Sequence, residues 1–224
     1  MDLKLDLETV PLSRRGNWMS LSRPVREHHR PLGPGIYLRS NHARGIARRE
    51  LFLMDMQVAG EPVAPSLETG PGYLRLSGPE GAEMELVFTD GEGVLIRGSG
   101  CSLRLTAVPG DNSTAYALEP GCWVFNLRAS LRRYRVELFS GAGELEQTLA
   151  ATETNFESGR MVLTLDSGDG EGFECALDAF WSAWEPVERR SFGETVEAVR
   201  SEFAAFVAGM PPVDPSRAAA ARRL

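Results

Sequence analysis

With 224 residues, a net charge of -7, 42% hydrophobic and 25% charged residues, the chain has the make-up of a folded soluble protein, long enough for one large all-β domain. The negative balance excludes nucleic acid as a bulk electrostatic partner. No apolar run approaches the roughly 20 residues that cross a bilayer, and the acidic opening "MDLKLDLETV" lacks the apolar core of a secretion signal. A cytoplasmic protein without membrane contact is expected.

Charge is unevenly spread. Residues 1–50 hold ten Arg and Lys against five Asp and Glu, so the front carries +5 and the rest -12. Residues 1–34, with "SRPVREHHRPLGPG", read as an Arg-, Pro- and His-rich arm. It is either a docking surface or a solvated face. In this arm and just beyond it, Trp18, His28, His29, Arg30, Tyr37 and His42 are the candidates for contact with a carbohydrate or a partner. His28 and His29, adjacent on an extended chain, point apart and make a poor metal chelate.

From residue 35 to 184 the pattern is strand, turn, strand. "GIYLR" (35–39) and "ELFLMDMQV" (50–58) are apolar runs. Asp55 interrupts the second, as a strand-edge, buried or functional carboxylate. Period-two alternation follows in "YLRLS" (73–77), "EMELVFT" (83–89), "GVLIR" (93–97), "CSLRLTAV" (101–108), "CWVFNLR" (122–128) and "YRVELFS" (134–140). "RMVLTLD" (160–166) and "FECALDAFW" (173–181) complete the series. Alternation puts Leu74 and Leu76 on one face and Arg75 on the other. Turn chemistry separates the strands in "SGPEGA", "TDGEG", "VPGDN", "SGAGE" and "DSGDGEG". This spacing predicts a two-sheet antiparallel β-sandwich, each sheet burying one face.

The three cysteines, Cys101, Cys122 and Cys175, form no C-x-x-C pair and sit in apolar strands, which predicts reduced, buried thiols. No dinucleotide fingerprint, Walker lysine, H-E-x-x-H or G-x-S-x-G occurs. "DSGDGEG" is acidic, but its third and fifth positions are Gly168 and Gly170, which have no side-chain oxygens for calcium. A hairpin turn is expected there. No catalytic residue, cofactor or metal is assigned.

Residues 185–224 form the last unit. Ser191 and Glu194 have the spacing of a capping box. Phe192, Val196, Val199, Phe203 and Phe206 recur at four, three, four and three, which predicts one apolar stripe along a helix over 191–208, an interdomain face expected to pack on a companion that the chain does not contain. Gly209 and Pro211-Pro212 end it, and the tail "VDPSRAAAARRL" has no apolar face. Before the helix, Phe180, Trp181 and Trp184 in "FWSAWEP" either seal the junction of sandwich and helix or offer rings to a sugar.

The order of "LSRPVREHHRPLGPGIYLRSNHA", the strand series and "ALDAFWSAWEPVERRSFGETVEAVRSEFAAFVAGMPPV" resembles the amino-terminal β-supersandwich region of bacterial six-hairpin glycosidases, those similar to the trehalase, glycogen-debranching and processing α-glucosidase groups. The resemblance covers most of the chain. It implies a supersandwich followed by a linker helix that leads into an (α/α) barrel, where the general acid and base of such enzymes lie. No position here matches them, so no catalytic role transfers. The resemblance therefore implies a non-catalytic accessory domain packing on a helical glycosidase barrel, in cis or as a separate chain, with oligosaccharide as a possible further partner. The chain would then be an isolated domain, a truncated product or half of a split enzyme. A free-standing carbohydrate-binding module and a small sandwich isomerase or lyase remain as alternatives.

Overall fold

The computed structural model describes residues 7, 11–23, 35–40, 50–107, 113–127, 132–148, 150–151, 156–157, 160–181, 183–185 and 187–210. They form the expected two-sheet antiparallel sandwich. The first sheet runs in the order β1 (Met19–Ser22), β2 (Ile36–Ser40), β3 (Glu50–Val58), β9 (Ser102–Ala107), β16 (Met161–Asp166) and β13 (Ala142–Gln147), with β4 (Glu61–Pro62) paired to β3. The second runs β10 (Thr114–Glu119), β11 (Cys122–Leu127), β12 (Arg132–Ser140), β17 (Gly172–Phe180), β8 (Gly93–Ser99), β7 (Glu83–Phe88), β6 (Tyr73–Ser77) and β5 (Ser66–Gly70). A small hairpin, β14 (Ala150–Ala151) with β15 (Phe156–Glu157), stands apart.

The inward residues of both sheets make one core. Phe52 of the first sheet meets Phe125 and Tyr134 of the second edge-on, at 5.0 and 5.8 Å between ring centres, the geometry favoured by ring quadrupoles. Leu103, Leu105, Leu163 and Leu165 join them, all fully buried.

Three features depart from the sequence-based expectation. Met19–Ser22, within the expected arm, is a strand of the first sheet, and Leu12, Met19 and Leu21 belong to the core. The sandwich thus starts before residue 35. The "DSGDGEG" turn is not a hairpin, because β16 and β17 lie in different sheets; it carries the chain from one layer to the other. Strands β5, β10 and β13 escaped the alternation pattern because each lies at the end of its sheet. An end strand such as β13, exposed or half-exposed throughout, needs no apolar face.

The outer face of the second sheet is organised in cross-strand rows. Glu174, Arg97, Glu85, Arg75 and Glu68 are successive neighbours across five strands and alternate in sign. Opposite charges facing one another are favourable pairs on a solvated sheet; Arg97 Nε donates to Glu85 at 2.6 Å. The adjacent row is apolar: Ala176, Leu95 and Val87.

On that apolar row lies α1 (Phe192–Ala208). Ser191 caps it: its Oγ accepts from the Glu194 N–H, and the Ser191 N–H donates to the Glu194 carboxylate at 2.9 Å. Phe192 and Val199 are buried against Val87, Leu95 and Ala176, with Val196 packed beside them. Arg97 covers the Phe192 ring at 4.2 Å. Arg14, from the segment before β1, pairs with Glu202 and donates to the Phe88 carbonyl at 3.2 Å. The helix is therefore tied to the chain's own sheet along its first half. No helix among the described residues is long and apolar enough to cross a membrane.

Candidate functional site

Beside α1, where the helix leaves the second sheet uncovered, a groove of about 410 Å³ opens between the β7–β8 turn (89–92), the end of β17 and the segment leading into the helix. Its size falls within the roughly 300–1,000 Å³ of ligand pockets. Phe180, Trp181, Trp184 and Val187 give it apolar walls, and Asp178 and Arg189 give it a polar centre.

The sheet register builds that centre. Arg135, Asp178 and Gly93 are neighbours across β12, β17 and β8. Asp178 is buried and pairs with Arg189 at 2.7 Å. The same nitrogen, Arg189 Nη2, also donates to Glu137 at 3.0 Å. Burial raises the Asp178 carboxyl above the ordinary carboxylate range, and the Arg189 charge works against that rise, as desolvation and an opposite charge do. Arg189 Nη1 is buried and makes no hydrogen bond among the described residues.

Guanidinium groups and rings alternate around this centre. Arg132 lies over Trp181 at 4.3 Å and Arg135 over Trp184 at 4.6 Å. Arg189 faces Phe139 at 5.5 Å, and Phe180 meets Trp184 edge-on at 5.7 Å. Stacked cations of this kind hold ring planes in place. Each guanidinium also has a carboxylate: Arg132 with Glu92, Arg135 with Glu119 at 3.4 Å, Arg190 with Asp90 at 3.9 Å. The groove is thus a set of fixed rings and neutralised ion pairs, suited to holding a polar molecule by stacking and hydrogen bonds.

The residues singled out from the sequence do not gather in one place. Tyr37 is fully buried on the outer face of the first sheet, so it is not a surface contact; the period of two turns it toward the same face as Leu53 and Asp55. Its hydroxyl and Asp55 Oδ1 are buried and have no hydrogen-bond partner among the described residues. Burial pushes both groups up, and Arg104, opposite Asp55 in the register, moderates the carboxyl. Trp18 is 46% exposed ahead of β1 and does not line the groove. His28, His29, Arg30 and His42 lie outside the described residues.

The helix stripe divides. Phe192 and Val199 are buried, Val196 and Phe203 half-buried, and Phe206 is 58% exposed. The expectation that all five side chains wait for a companion is corrected for the first half, which the chain's own second sheet covers.

Sequence reasoning weighed Phe180, Trp181 and Trp184 but passed over Asp178 and Arg189. Asp178 had one visible signal, a carboxylate inside the apolar run "FECALDAFW". Among the described residues no group of three or more His, Cys, Asp or Glu is placed to hold a metal ion. Comparison of the chain with protein-family models and with curated proteins gave no match.

Proposed function

We propose that this chain is a non-catalytic accessory β-sandwich domain that docks on a helical glycosidase barrel, in cis or as a separate chain, and helps shape its substrate cleft. The divided helix carries this reading. Its first half anchors α1 to the sandwich; its last turn and the residue after its C-cap present Phe206, Val207 and Met210, which are 58, 37 and 45% exposed. Apolar side chains left exposed together at a helix end offer a partner surface to bury. An amphipathic helix fixed at one end and apolar at the other suits packing against further helices, which is what the resemblance to the six-hairpin glycosidases implies.

The test is co-purification with the helical-barrel polypeptide encoded in frame with, or beside, this chain. Capture is expected with the native sequence and is expected to be lost in the double variant Phe206→Glu, Met210→Glu. Hydrolysis of α-glucosides by the pure 224-residue chain, or undiminished capture by the double variant, would reject the proposal.

A further inference from the structure

Four strands stand at the ends of the two sheets, β1 and β13 in the first, β10 and β5 in the second. An end strand turns one row of its N–H and C=O groups away from its neighbour, and that row is a template for another strand. The four ends are guarded differently. β1 is buried throughout. β13 is open but carries Glu144 and Glu146. β5 has Glu68 at its middle. β10, "TAYALE", is exposed at every position but Ala115 and has no charge before its last residue, Glu119. Its exposed side chains include Tyr116 and Leu118.

We infer that β10 pairs edge to edge with β10 of a second copy of this chain, antiparallel about a two-fold axis at Tyr116, so that two eight-stranded sheets join into one.

Charge selects this strand and this partner. A two-fold axis sets each residue opposite a residue of the same strand, and like charges directly opposite are unfavourable. At mid-strand, β13 would put Glu144 opposite Glu146 or opposite Glu144 of the other copy, and β5 would put Glu68 opposite itself. β10 passes the same test. Tyr116 meets Tyr116, Ala115 meets Ala117, Thr114 meets Leu118, and Glu119 meets Ser113. The axis gains an aromatic pair, a favourable cross-strand contact, and no ion faces a like ion. The local geometry suits it too. β10 keeps unbroken register with β11 from Thr114 to Ala117, and its bulge comes only after Ala117. The residues about the axis therefore lie clear of the bend that a bulge imposes.

The experiment is sedimentation velocity of the full chain over a concentration series. A monomer–dimer equilibrium is expected. Tyr116→Lys, at an exposed position, sets two ammonium groups opposite each other and is expected to weaken the dimer about tenfold or more. Oxidation of Tyr116→Cys with diamide is expected to link the dimer covalently, since opposite residues of an antiparallel pair lie within disulfide reach. Glu146→Cys, on the edge of β13, is expected to stay unlinked. The double variant Phe206→Glu, Met210→Glu should leave the dimer unchanged, so this inference and docking of the helix end on a barrel fail separately. A monomer at every concentration up to about 0.5 mM, a dimer that Tyr116→Lys leaves as strong, linkage through Glu146→Cys in place of Tyr116→Cys, or loss of the dimer in the helix-end variant would each overturn the assignment.

Discussion

Gly93 and Asp178 are register neighbours on β8 and β17, and the Asp178 carboxylate occupies the space that a side chain at residue 93 would need. The missing Cβ is what lets a buried carboxylate lie flat across the neighbouring strand and still reach Arg189. The first sheet repeats the device: Asp55 fills the space beside Gly35. In both sheets, a glycine that looks like a turn residue in the sequence makes room for an acid on the sheet's outer face.

Gly93→Ala is therefore expected to destabilise the fold by about 1–3 kcal/mol, the usual cost of overpacking. The cost is expected to shrink when Asp178→Ala is present, because the two positions share one volume. A double-mutant cycle by urea denaturation measures the coupling. Additive effects would show that the carboxylate moves aside freely.

Asp55 is expected to make stability depend on pH. Burial raises its folded-state value above the ordinary 3.8. The folded protein then holds this proton more tightly than the unfolded chain. As pH rises from 3.8 through the folded value, this site's contribution to stability falls. Asp55→Asn removes the titration, so its stability relative to the native protein should climb with pH across that window and level off above it. Parallel urea midpoints at every pH would contradict the burial.

The two ends of α1 are expected to respond differently to truncation. Phe192 is 2% exposed and Phe206 is 58% exposed. Phe192→Ala should cost about 3–5 kcal/mol, as deletion of a buried ring does. Phe206→Ala should change stability by less than about 0.5 kcal/mol, as at most surface positions. Equal losses at the two sites, measured by thermal or urea unfolding, would mean that the helix end is packed.

The cysteines are expected to be inert in the native state. Burial pushes the Cys101 thiol up to about 11 and raises Cys122 and Cys175 as well. At pH 8 only about one Cys101 in a thousand carries the reactive thiolate. A colorimetric thiol reagent at that pH should label the native chain slowly and all three cysteines after guanidinium is added. Rapid native labelling would place a thiol in a more polar setting than the fold provides.

How far the molecule was legible depends on how local each signal is. The alternation in "YLRLS" and "EMELVFT" became β6 and β7, and the Ser191–Glu194 cap became the start of α1. These outcomes need only the burial of one face or the pairing of backbone groups three residues apart. By contrast, β13 and β10 carried no such imprint, and Met19–Ser22 was hidden in a segment whose charge suggested an arm. Tyr37 looked like a surface ring beside Arg39, yet the sheet buries it.

Local pattern was enough for a sandwich and a capped amphipathic helix, because alternation and stripe are properties of single segments meeting one apolar boundary. The packing of the whole chain laid half the stripe on its own β7, β8 and β17. It alone joined Asp178 and Arg189 to the residues of a distant turn. That meeting depends on strand order and register, set by contacts between segments far apart in the chain, and no local pattern of side chains records which strands will be neighbours.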